Sequence, residues 1–223
     1  MELQAVIFDL DGVITDTSGF HRIAWEKLAH KHGRTFDDSM GEAFKGVSRI
    51  DCARLLFPEM TDFEQINALA EEKNEEYRKM LQSLTPCDLF EGVREFLALL
   101  KNNKIKTAIG SASKNAVNVL ERLDALTLFD TVVDGTVVKR SKPEPDVFAL
   151  CAERLQVNPE SCVVIEDALA GVQAAHSAGM AAIGIGSPDV LSMAEMVVSS
   201  IRYVKLADVK ACISYKADLG EVT

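Results

Sequence analysis

Two aspartates one residue apart, Asp9 and Asp11, close a short apolar run, Ala5-Val6-Ile7-Phe8. In an extended chain residues two apart point to the same side, so the two carboxylates share one site. A second acidic pair, Glu166-Asp167, follows the run Cys162 to Ile165, and Ser111 follows the run Lys106 to Ile109. Ligands of parallel α/β sheets collect at the carboxyl ends of strands, where these three motifs converge if the runs are strands of one sheet. Carboxylates crowded there repel one another unless a hard cation neutralises them, and Mg²⁺ suits oxygen donors. The expectation is a Mg²⁺ site that shields a phosphoryl group from the negative carboxylate attacking it. Each motif also has a plainer reading: Asp-x-Asp serves turns and helix N-caps, and Glu166-Asp167 could equally cap a helix beginning near Ala168.

Three further places carry residues of chemical interest. Lys142, in Ser-Lys-Pro-Glu-Pro, precedes a helix whose first turn would hold Pro145, a residue suited to helix starts. As a lone lysine it reads as a solvated loop residue. Lys73 falls on the inward side of the stripe Ile66, Leu69, Ala70, Tyr77, so its charge must snorkel or find a partner. His21 and Trp25 are four apart and share a helix face, which by itself is packing more often than catalysis.

The elements that must position these groups follow from periodicity. Short apolar runs recur at Ala5 to Phe8, Lys106 to Ile109, Thr131 to Val133, Cys162 to Ile165 and Ala181 to Ile185, separated by stretches with apolar residues three and four apart. That alternation predicts an α/β fold, an open and mostly parallel Rossmann-like sheet. The stretch from Asp16 to Cys87 is too long for one crossover helix and holds no convincing strand. It reads as a helical cap. Phe20, Ile23, Ala24 and Leu28 form the apolar face of its first helix, and the longest helix runs from about Glu64 to Leu81. The expected division is a discontinuous core, 1–15 and 88–223, with a cap, 16–87, free to hinge where the chain crosses twice.

Composition excludes several classes. With 223 residues, 48% of them hydrophobic, the chain can bury a sizeable core, and a formal net charge of −10 argues against nucleic-acid or anionic-membrane surfaces. No apolar run approaches the roughly 20 residues that span a bilayer, and no signal sequence is evident, so a cytoplasmic protein is expected. The five cysteines are scattered and include no C-x-x-C pair, as for reduced thiols.

Together the motifs resemble the haloacid dehalogenase superfamily. Phe8-Asp9-Leu10-Asp11-Gly12-Val13-Ile14-Thr15-Asp16-Thr17 is similar to its first motif, and Ser111, Lys142 and Glu166-Asp167 follow in order as the other three. The closer likeness is to the β-phosphoglucomutase branch. There His21 and Trp25, the loop Lys45-Gly46-Val47-Ser48-Arg49, Lys73-Asn74 and Ser111-Ala112-Ser113-Lys114-Asn115 match cap and phosphate contacts. Ile50 and Cys52 depart from that pattern, standing where the branch favours an acidic residue and a serine.

The resemblance implies Asp9 as nucleophile, Asp11 as general acid and base, and Mg²⁺ held by Asp9, the Asp11 carbonyl, Glu166 and Asp167. It implies Ser111 and Lys142 on the transferring phosphate, and Arg49, Ser113, Lys114 and Asn115 on the other phosphate of a catalytic sugar 1,6-bisphosphate. Thr17, His21 and Lys73 would couple cap closure to Asp11, and Cys52 would join the sugar contacts. A small sugar phosphate is the expected partner of a monomer. A sugar phosphatase of the same superfamily and a phosphoacceptor signalling module are the competing readings.

Overall fold

The computed structural model describes residues 2–220, with only the helical backbone described over 214–220. Six strands form one parallel sheet: β1 (Ala5–Phe8), β2 (Lys106–Gly110), β3 (Thr131–Val133), β4 (Cys162–Glu166), β5 (Ala181–Ile185) and β6 (Met196–Val198). Their spatial order is β3-β2-β1-β4-β5-β6, the doubly wound arrangement in which strand order reverses beside β1. The five expected strands are all present. β6 was not anticipated, because a three-residue, half-buried edge strand offers too little periodicity to read.

Strand alternation divides the interior into two layers. Val6, Phe8, Val163 and Ile165 face one apolar cluster, while Ala5, Ile7, Cys162 and Val164 face the other. The first cluster is closed by α5 (Val93–Asn102), α6 (Ala116–Arg122) and α9 (Leu206–Gly220); the second by α7 (Asp146–Leu155) and α8 (Leu169–Ser177). Strands buried on both faces explain the continuous apolar runs of the sequence.

Between β1 and α5 lie four α-helices, α1 (Ser18–Lys31), α2 (Asp38–Ala43), α3 (Arg49–Leu56) and α4 (Phe63–Leu81), an insertion called the cap below. Asp37, Ser48 and Asp62 each accept a backbone N–H in the first turn of α2, α3 and α4, satisfying donors that the helix leaves open. The cap has its own apolar cluster, with Trp25, Phe44, Leu56, Phe57, Ile66 and Leu69 among its members. Its lower end instead joins the core through Ala24, Tyr77, Leu81 and Leu84. The expected face of α1 is corrected: Ile23 is exposed, and Ala24, Trp25, Leu28 and Ala29 are buried, because α1 packs mainly along α4 rather than over the sheet. Pro145 is the residue preceding α7, not a member of its first turn.

Candidate active site

The site lies where strand order reverses. Phe8 and Ile165 are in register at the carboxyl ends of β1 and β4, and the Asp9 N–H donates to the Ile165 carbonyl at 2.9 Å. Asp9 is therefore fixed to the sheet while its side chain faces Glu166 and Asp167. The chain then turns through Gly12, whose φ is +86° and where an added Cβ would stand 2.3 Å from Asp167 Oδ2. Glycine is needed twice at this position, for the left-handed backbone and for the close carboxylate. Thr15 ties the two chain crossings together, its Oγ1 donating to the Asp88 carbonyl at 2.8 Å.

Lys142 is not a solvated loop residue. Its side chain is fully buried, with Nζ 2.5 Å from Asp9 Oδ1 and 2.9 Å from Glu166 Oε2, above the Phe148 ring. Two sequestered carboxylates draw the lone cation inward, a pull invisible in the local sequence. Glu166 Oε1 also accepts the Ala168 N–H at 3.2 Å, one residue before α8 begins, although α8 itself has no side-chain cap bond. Asp9, Glu166 and Asp167 each bring an oxygen within 4.8 Å of the others. Burial, and then the charge of Asp9, raise the pKa of both Glu166 and Asp167, with Lys142 opposing. One lysine against three crowded carboxylates leaves negative charge over, and an all-oxygen donor set fits a hard divalent cation.

Asp11 faces the cap. Its Oδ1 is buried without a hydrogen-bond partner and its Oδ2 lies 3.9 Å from His21 Nε2. Burial, reinforced by Asp9, pushes its pKa up to about 7. A carboxyl raised in this way can both give and take a proton near neutrality. His21 stacks on Tyr77 with ring centroids 3.9 Å apart, and its Nδ1 is 2.5 Å from Lys73 Nζ. Burial, then the charge of Lys73, hold His21 well below its ordinary pKa. An ammonium at Nδ1 places the neutral ring's proton on Nε2, toward Asp11. Lys73 itself is buried against the Trp25 and Tyr77 rings, its Nζ 5.0 and 4.9 Å from their centroids. Tyr77 read in the sequence as one more apolar residue of a stripe; only the fold shows that it carries His21.

A cavity of about 940 Å³ lies between cap and core, the size of a small-molecule site. Asp9, Asp11, Ser111 and Lys142 border it from the core, together with Asp167 and Ala112, Ser113, Lys114 and Asn115. His21, Trp25, Lys73, Asn74 and the loop Lys45, Gly46, Val47, Ser48, Arg49 border it from the cap. The cap rests on the core. Asn115 Nδ2 donates to Asn74 Oδ1 at 2.8 Å, and an added Cβ on Gly46 would be 3.5 Å from Lys142 Cδ.

One expected site residue stands behind the wall instead. Thr17 is fully buried outside the cavity, with the Tyr77 hydroxyl 3.4 Å from its Oγ1. Cys52 borders the cavity but is 2% exposed and directs its thiol at the Phe44 and Val47 carbonyls, supporting the loop from below. Sequence reasoning missed Asp51, whose Oδ2 accepts from Ser48 Oγ at 2.6 Å and from Ser141 Oγ of the core at 3.0 Å. The Ser48-x-x-Asp51 spacing, an acidic variant of the capping box, was the signal available.

The chain belongs to the haloacid dehalogenase-like hydrolase family, whose model matches residues 3–179. Within it the chain is 41% identical to a β-phosphoglucomutase of Bacillus subtilis over 202 residues, 88% of this chain and 89% of the relative. A solved β-phosphoglucomutase of Clostridium difficile superposes with a TM-score of 0.89 at 39% identity, covering 99% of this chain and 100% of that one. A fructose-1-phosphate phosphatase of Escherichia coli is 37% identical over 81% of this chain and 95% of its own.

Proposed function

We propose that the protein is a β-phosphoglucomutase, interconverting β-D-glucose 1-phosphate and β-D-glucose 6-phosphate through phosphorylated Asp9 and β-glucose 1,6-bisphosphate. The observation that carries this reading is one cavity with cations at two separate places: Lys142 beside Asp9 in the core, and Arg49 at the end of the cap loop, with Lys114 among the other bordering cations. A bisphosphate whose two ends exchange places needs both; a phosphatase needs one.

In this mechanism phosphorylated Asp9 gives its phosphoryl group to a hydroxyl of the sugar phosphate. A P–O bond to the sugar forms as the bond to Asp9 breaks, and Asp11 takes the hydroxyl proton. After the bisphosphate turns end for end, Asp9 attacks the other phosphorus and Asp11 returns the proton to the departing sugar oxygen. Ser111 and Lys142 hold the transferring phosphate, while Arg49, Ser113, Lys114 and Asn115 hold the other. A planar guanidinium suits that second task. His21 and Lys73 orient Asp11 when the cap, residues 16–87, closes on the core, residues 1–15 and 88–223, and closure excludes water. Asp9, the Asp11 carbonyl, Glu166 and Asp167 would hold Mg²⁺, which when bound neutralises charge between carboxylates and phosphoryl oxygens. The same reading makes the protein a cytoplasmic monomer; no helix among the described residues is long and apolar enough to cross a membrane.

The similarity to a sugar phosphatase supports a second reading, in which water attacks phosphorylated Asp9. Arg49→Ala separates the two. Conversion of β-glucose 1-phosphate to glucose 6-phosphate should fall on the order of 10²-fold, while hydrolysis of a small acyl phosphate, which has no second phosphate, falls far less. Parallel loss of both activities, or no loss, would remove Arg49 from binding of the second phosphate; a wild type that releases inorganic phosphate from β-glucose 1-phosphate and forms no glucose 6-phosphate would favour the phosphatase.

A further inference from the structure

The cation assigned to the second phosphate already has a partner. Arg49 begins α3, and its Nη2 is ion-paired with Oε1 of Glu71 on α4. The Arg49 side chain is 17% exposed, and its Nε is buried with no hydrogen-bond partner. The other Glu71 oxygen, Oε2, lies 3.5 Å from Asn74 Nδ2, and Asn74 Oδ1 accepts from Asn115 Nδ2. Arg49, Glu71, Asn74 and Asn115 thus make one chain of contacts from the cap loop across α4 to the core turn after β2. Burial weakens the hold of Arg49 on its proton and the nearby charge of Arg78 adds to this; Glu71 opposes both.

A guanidinium grips a carboxylate and a phosphate by the same fork of donors. A phosphate entering the cavity and Glu71 therefore compete for the same N–H groups, and a phosphate oxygen can also answer the idle Nε. We infer that Glu71 is a built-in competitor for Arg49: it positions the guanidinium in the free protein and is displaced by the non-transferring phosphate of the sugar phosphate. Glu71 is then a positioning and specificity-determining residue, because only a ligand carrying that phosphate can exchange with it. The inference rests on the proposed distal role of Arg49.

Glucose 6-phosphate binding by calorimetry, in wild type, Glu71→Gln, Arg49→Ala and the double variant at matched ionic strength, tests it. The glutamine keeps a polar group for Asn74 and removes the competing charge. Because apparent affinity scales with the fraction of protein whose Arg49 is free, and half-exposed ion pairs are weak, Kd should fall about three- to tenfold. KM for β-glucose 1-phosphate should fall with it, while kcat and acyl phosphate hydrolysis move less than about twofold. The gain should vanish in the Arg49→Ala background. An unchanged or higher Kd in Glu71→Gln overturns the proposal, as does the same gain without Arg49, which would reveal a general field effect. A merely structural Glu71 would instead lower thermal stability and weaken binding. Wild type that binds glucose 6-phosphate without converting β-glucose 1-phosphate sinks the mutase reading while the Kd comparison still decides the exchange. Wild type that binds no glucose 6-phosphate overturns both.

Discussion

Lys142 and Lys73 are both almost completely buried on opposite sides of one cavity, and their surroundings drive them in opposite directions. Burial alone would lower the pKa of each. At Lys142 the charges and hydrogen bonds of Asp9 and Glu166 outweigh it and hold the ammonium well above its ordinary range. At Lys73 the near neighbours are two aromatic rings and a neutral imidazole, burial prevails, and the pKa falls to about 7. Partners, and not depth, decide whether a buried lysine is a fixed charge or a labile one. The core side of the site is thus a permanent electrostatic framework. The cap side is adjustable.

The largest expected effect comes from breaking the core member of this pair. Lys142→Met leaves Asp9 and Glu166 facing each other without their cation, and removing one partner of a buried ion pair typically destabilises by about 3–5 kcal/mol. Chemical denaturation in chelator and in excess Mg²⁺ should show the loss, with part of it recovered by the cation if the oxygen cluster binds it. Mutase turnover should fall at least about 10²-fold, since the phosphate loses its buried charge. A variant as stable as wild type in chelator would mean that the carboxylates are neutralised by protonation instead.

The same substitution in the cap should do the reverse to stability. Lys73→Met fills a largely apolar niche and removes a desolvated charge, so stability at pH 6.5 should rise on the order of 2 kcal/mol while turnover drops, because His21 loses its partner. The pH dependence has a definite sign. The folded-state pKa, about 7, lies below the ordinary lysine value, so the unfolded chain binds more protons between the two and wild-type stability rises with pH across that window. The advantage of Lys73→Met should therefore shrink as pH increases from about 7 toward 10. A constant advantage at all pH values would show that Lys73 does not titrate there.

Cys52→Ser should have the smallest effect. The thiol, pushed up to about 12 mainly by burial, is a neutral group aimed at two carbonyls from 3.8 Å, so a hydroxyl replaces a weak neutral donor by another neutral donor of similar size. Stability should stay within about 1 kcal/mol and KM within about threefold of wild type. A large change in KM alone would put Cys52 in contact with the sugar.

The sequence by itself determined five of the six strands and the motifs at their carboxyl ends. Continuous apolar runs followed by Asp-x-Asp, Ser111 and Glu166-Asp167 are local signals, and the carboxyl-end rule for parallel strands is enough to bring them together. It also determined the helical insertion after β1, from length and helical periodicity. The inward position of Lys73 was legible too, because a charge in an apolar stripe announces itself. Only the tertiary structure decided what each lysine faces, since Lys142 and Asp9 are 133 residues apart and no periodicity records their meeting. Ile23 and Leu28 are indistinguishable as apolar residues of α1, yet one is exposed because the partner helix α4, far along the chain, covers the other. Asp51 reaching Ser141, Glu71 reaching Arg49 and Tyr77 carrying His21 are likewise contacts between elements whose relative placement the packed core and the cap's docking on it set. Local patterns fix which groups reach a site; side-chain partners, and with them charge states, depend on three-dimensional neighbours that one-dimensional spacing does not encode.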